Sequence, residues 1–243
     1  GVSLSALLAV LFSWRWLFAA FSFMTCCALI AVQRMRVPRR AASMAPLVWP
    51  HRTLSIPGVT PLLFICFAYM AAFYGTYGYV GDHVHNELGM PVRTMAMISF
   101  AYGVGFGLAA FADPLIDRLG QARVMPWAFL TLMVMYVLLA LVSDALLPLV
   151  VASLGWGLLN HFGLNLIVAG LSGIDPARRG AILGAYSAVT YLSAALATAL
   201  AGWLYAAQGF QILALAGAVL IALSCCMSFA RQAGAIARQA QRV

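Results

Sequence analysis

Lysine is absent. All 14 basic residues among the 243 are arginine. That excludes Schiff-base chemistry with retinal or pyridoxal phosphate, which needs a lysine amine. It also excludes a phosphate-binding P-loop, whose lysine is indispensable. Charged residues of either sign are scarce, at 8% where a soluble domain carries roughly 25%. Only six carboxylates occur, and none falls in the middle of an apolar run. Cys26, Cys27, Cys66, Cys225 and Cys226 show no CxxC spacing. Each lies inside an apolar stretch and reads as a small hydrophobe, not a metal ligand or redox group. No cofactor pattern is present. The chain opens on Gly1 without a signal peptide.

What is there is hydrocarbon. Apolar residues make up 64% of the sequence, against roughly 45–50% in a soluble domain, and mean hydropathy is +0.96. These values exclude a soluble enzyme, a disordered tail and a nucleic-acid-binding domain, and they make lipid the solvent. A membrane helix needs about 20 apolar residues. Seven stretches qualify: 16–33, 59–80, 93–112, 125–143, 146–171, 180–205 and 210–230. Residues 1–12 look like the end of an earlier span. The gap 34–58 carries Pro38, Pro46, Pro50 and Pro57 among five arginines and reads as an exposed linker. The expected organisation is therefore 1–33, a linker 34–58, a six-helix bundle 59–230 and a tail 231–243.

Arginine placement orients the spans. Twelve of the fourteen fall in one alternating set of gaps and the tail, and only Arg15 and Arg93 fall in the other. The arginine-rich side, with the C-terminus, is expected in the cytoplasm of a bacterial inner (plasma) membrane. Small residues form a second pattern, at 102–107 (Tyr-Gly-Val-Gly-Phe-Gly) and at Ala185, Ala188, Ala195, Ala199 and Gly202. Such stripes let membrane helices approach closely.

An ionisable side chain at membrane depth is a functional candidate. His161 is the one near mid-span. Asn165 shares its helix face, and with Asn160 the set suits a polar substrate group. Tyr69 and Phe73 recur at four-residue spacing, as an amphipathic binding wall requires. Tyr77 and Tyr79, further along, read as an interfacial belt. Tyr102, Tyr186 and Thr190 are further cavity candidates. Asp82, His83 and His85 read as hydrated surface at the arginine-poor mouth. Asp113 and Asp117 read as cytoplasmic, so proton coupling within this chain would fall to His161.

The segment Asp113-Pro-Leu-Ile-Asp117-Arg118-Leu-Gly120-Gln-Ala-Arg123 resembles the short cytoplasmic signature of the major facilitator superfamily. Asp117, Arg118, Gly120 and Arg123 match it. Asp113 stands where that signature has glycine, and Gln121-Ala122 replace a basic pair. Ser13-Trp14-Arg15-Trp16-Leu17-Phe18 is similar to the opening of that family's sixth helix. Asp175-Pro-Ala-Arg-Arg-Gly180 is similar to the turn into its eleventh, and Gly1–Ala6 weakly to its antiporter signature.

The resemblance implies an all-α integral membrane protein whose spans correspond to the sixth to twelfth helices of a twelve-helix fold. It implies transport of a small molecule (efflux of a drug, sugar or similar metabolite) by alternating access, coupled to protons, with no enzymatic step. Asp117, Arg118, Gly120 and Arg123 would form the conformational switch. The partners implied are the substrate, protons, lipid and an N-terminal half of the same protein. The alternative is a seven-helix receptor or sensor without transport.

Overall fold

The structure is a computed structural model and describes residues 14–34 and 50–240. Among the described residues there is no strand. The chain divides into two units, Gly1–Leu47 and Val48–Val243. The first contains helix α1, Trp14–Arg34, whose apolar stretch, Phe18–Arg34, is shorter than the spans of the second unit. Residues 1–13 and 35–49, covering the proposed remnant span, most of the linker and the antiporter-like hexapeptide, lie outside the described residues.

The second unit is a helical bundle. A 3-10 turn, Pro50–Ser55, leads to α2, Val59–Asp82, which continues as a π-helical turn, His83–Glu87. Then follow α3 (Val92–Ala109), a 3-10 turn, the short α4 (Asp113–Leu119), α5 (Gln121–Leu141), α6 (Leu146–Ser172) and α7 (Arg179–Ala240). α7 breaks at Gly209, whose φ of 74° and ψ of −178° are not helical. It therefore comprises two spans, 179–208 and 210–240. All six spans expected after residue 58 are present.

Two expectations change. The 3-10 turn is not wholly exposed, because Thr53 is buried. Residues 231–240 continue the last helix and are not a separate tail.

The breaks have local causes. Gly120 adopts φ 88° and separates α4 from α5, a backbone conformation that glycine reaches without a Cβ clash. Asp175 caps the turn into α7 by accepting hydrogen bonds from the N–H groups of Ala177 and Arg178, at 3.0 and 3.3 Å. Inside the bundle α2 packs chiefly on α7, α3 on α6, and α5 on α6 and α7. The α3–α6 crossing is close. A Cβ placed on Gly105 would overlap the carbonyl of Leu154, and one on Gly157 the carbonyl of Tyr102. The expected close approach of small residues thus occurs on α3. On α7 it is partial: Ala185 is buried, while Ala188, Ala195 and Ala199 are exposed. The core is built around Trp156, Tyr136, Phe129 and Phe210. The outward side chains are also large and apolar, among them Phe100, Phe111, Leu147 and Trp203, as lipid contact requires.

Candidate functional site

The α3–α6 crossing positions the most concentrated chemistry. α6 presents His161 and Asn165 on successive turns. Opposite them, the chain leaves α3 through a 3-10 turn and starts α4 at Asp113. His161 Nε2 lies 3.0 Å from Asp113 Oδ1 and 3.1 Å from Oδ2, so its N–H donates into the carboxylate. Asn165 Nδ2 donates to the same Oδ1 at 2.9 Å. His161 lies about 17 Å from the Ser172 end of α6, at 1.5 Å per residue.

The sequence reading of Asp113 as cytoplasmic did not include this contact with α6. The short α4 helix turns its first side chain back towards α6. No spacing rule reveals that contact, because it joins residues 48 and 52 positions apart. The substitution of Asp for the signature's glycine was the available signal.

From His161 a wall of rings runs towards the other end. Phe106 meets His161 edge-on, with centroids 4.9 Å apart, and stacks on Tyr102 at 6.1 Å. Tyr102 stacks on Phe73 at 5.7 Å and meets Trp156 edge-on at 5.2 Å. Phe73 stacks on Tyr77 at 5.2 Å, and Tyr77 O–H reaches Ser99 Oγ at 3.3 Å. Phe73, Tyr77 and Tyr102 are half-buried, which suits a binding wall. Tyr77, read from the sequence as part of an interfacial belt, joins this wall through Phe73, Tyr102 and Trp156. Tyr79 turns elsewhere, donating to the Thr198 carbonyl at 2.9 Å. Trp156 was missed in the sequence because an indole inside an apolar run looks like ordinary core.

Several sequence candidates do not join the cluster. Asn160 is fully buried and its Nδ2 donates to the Trp156 carbonyl at 3.0 Å, so it faces away from His161. Tyr69 is also core: its hydroxyl donates to the Asn160 carbonyl at 2.8 Å, and its ring meets Phe129 edge-on. Thr190 is buried against Cys66, with Oγ1 and Sγ 3.7 Å apart. Tyr186, one turn earlier on α7, is half-buried. The Tyr136 hydroxyl, Trp156 Nε1 and Asn160 Oδ1 are buried and have no hydrogen-bond partner among the described residues.

The signature-like segment spans α4 and the start of α5. Arg118 and Arg123 are exposed, Gly120 makes the break, and the Asp117 side chain lies outside the described residues. Asp117 sits inside α4, and α5 begins at Gln121 without an acidic first turn.

His83 is a further correction. It is not hydrated surface: it is 2% exposed. The π turn rotates it inward, where its ring stacks on Phe210.

Residues 1–173 match the Major Facilitator Superfamily. A relative described as "Uncharacterized MFS-type transporter YwfA", from Bacillus subtilis (strain 168), is 27% identical over 238 residues. The alignment covers 94% of this chain and 57% of the relative. The chain therefore spans a little over half the length of the curated relative it matches.

Proposed function

The chain belongs to the Major Facilitator Superfamily, and on that premise we propose that it supplies one half of a carrier that moves a small molecule across a bacterial cytoplasmic membrane by alternating access. Two helical halves rock about a site near the membrane midplane, so this half alone is not expected to transport. The arginine-rich end and the C-terminus face the cytoplasm. The carrier performs no bond chemistry.

The observation that carries the reading is the Asp113–His161–Asn165 cluster at the end of an aromatic wall. Ring faces with a nearby carboxylate suit an amphipathic cation. A carboxylate and an imidazole in contact suit proton exchange. Export of such a cation against protons uses both features. A receptor without transport would not need an ionisable pair beside an apolar wall.

The test is reconstitution of the full-length protein in liposomes, with ethidium as probe. A proton gradient should drive ethidium movement several-fold faster than in empty liposomes. Asp113→Asn and His161→Gln should each lower that rate about tenfold. Wild-type liposomes that match empty ones, with ethidium and with neutral sugars alike, would overturn the reading.

A further inference from the structure

The arginine-poor end of the bundle holds a second ionisable cluster that the transport reading leaves unused. Its centre is the buried ring of His83. Nδ1 lies 2.8 Å from Glu87 Oε2, and Nε2 lies 2.8 Å from the backbone carbonyl oxygen of Ser143. A carbonyl only accepts, so Nε2 must carry a hydrogen. An ionised carboxylate also only accepts. Nδ1 must then carry a hydrogen as well, or Glu87 must be protonated and donate to it. Both arrangements contain one proton more than a neutral imidazole beside a carboxylate. Without that proton, two lone pairs face each other at 2.8 Å and the contact cannot persist.

We propose that His83 and Glu87 hold one exchangeable proton between them, and that this proton-binding site staples three segments at the arginine-poor mouth. The segments are the π turn after α2, the α5–α6 turn at Ser143, and the bend of α7. The bend joins through Phe210, whose ring stacks on His83 with centroids 4.6 Å apart and 19° between planes. Gly209 closes the bend, and a Cβ there would stand 3.6 Å from Glu87 Oε2. The π turn is part of the device: single-turn π segments concentrate at functional sites, and here it turns His83 inward while keeping Glu87 part-exposed to take up the proton.

Other ionisable groups surround the site. On the same segment, Asp82 accepts from Asn86 Nδ2 at 2.7 Å, and His85 Nδ1 lies 2.8 Å from the Met90 carbonyl oxygen. From α7, Tyr205 lies beside the Glu87 and Asp82 carboxylates. Arg93 at the start of α3 and Asp144 beside Ser143 are exposed. Among the described residues, Glu87 is the ionisable group hydrogen-bonded to the His83 ring. The proton enters from water and returns to it, and no other bond changes. The inference does not depend on the transport reading, because it follows from a donor and acceptor count.

Thermal unfolding of the chain in detergent, from about pH 5 to about pH 9, tests it. The wild-type midpoint should fall by about 3–6 °C as the pH rises and the shared proton leaves. Glu87→Gln is the diagnostic variant. Its amide N–H donates to Nδ1 of a neutral ring, so the contact needs no titrating proton. Its midpoint should stay level over the interval in which the wild type declines. His83→Gln should unfold at a lower temperature and without the decline. A Glu87→Gln curve parallel to the wild type, or a level wild-type curve, would overturn the proposal. Hydrogen exchange of the wild type supplies an independent reading. Backbone protection across residues 142–146, corrected for the intrinsic pH dependence of exchange, should fall as pH rises. Protection that stays constant would also overturn it.

Discussion

Single atoms decide which substitutions matter. The Tyr136 hydroxyl is buried beside Trp156, whose ring meets its own edge-on at 5.6 Å, and makes no well-formed hydrogen bond, so removing it loses little and relieves a desolvated group. Tyr136→Phe should therefore unfold within about 0.5 kcal/mol of the native chain, or above it. A larger loss in chemical denaturation would show that the hydroxyl is satisfied in the membrane. Asp113 is the opposite case. Its carboxylate takes hydrogen bonds from both His161 and Asn165. Asp113→Asn keeps an acceptor for both donors, whereas Asp113→Ala orphans them. The group is partly exposed, which limits the loss, and the alanine variant should be about 1 kcal/mol less stable than the asparagine one. Equal unfolding midpoints for the two would show that these hydrogen bonds contribute nothing.

At the scale of helices, a glycine's value depends on what lies across from it. Gly105 and Gly157 face backbone carbonyls on the partner helix, while Gly107, on the same stripe, meets nothing within 4 Å. Gly157→Val should cost at least about 3 kcal/mol, because backbone cannot step aside as a side chain can. Gly107→Ala should gain about 0.5–1 kcal/mol through helix propensity. Unfolding of the two variants in detergent separates them by sign, and a loss for both would mean that the stripe acts through flexibility instead of proximity. The same scale explains what the sequence revealed. Spans were legible because each is a continuous apolar run closed by a residue with its own reason to end a helix, such as Gly120 or Asp175. The aromatic wall was half legible, through the four-residue spacing of Tyr69, Phe73 and Tyr77. That spacing gives one face of α2 but not the rotation of its last turn. Tyr69 entered the core, Tyr77 joined the wall, and a π turn carried His83 inward. The Asp113 contact was not legible for a related reason: nothing local to the seven-residue α4 encodes which neighbour its first side chain meets.

For the whole molecule the decisive property is sidedness, because every proton argument depends on it. Twelve of fourteen arginines fall in one alternating set of gaps between apolar runs and in the tail. The proposed orientation puts that set in the cytoplasm, since translocating an arginine-rich short loop is costly. The two ionisable clusters then fall on opposite sides. On the proposed orientation His83–Glu87 would meet the external medium and Asp113–His161 would lie towards the interior. Single cysteines at the two ends test the arrangement. Asp144→Cys should react with a membrane-impermeant maleimide in intact cells, and Arg178→Cys only after permeabilisation. Both positions are exposed, so failure to react reports the side and not burial. A cysteine-free background is required, since Cys226 is exposed on the bundle. The reverse labelling pattern would leave the donor and acceptor geometry of both clusters intact. It would, however, place the His83 site in the cytoplasm, so that protons entering down a gradient would reach Asp113 first. A proton driven inward would then meet the aromatic wall before the staple, and the staple would respond to the pH of the cell rather than to that outside it.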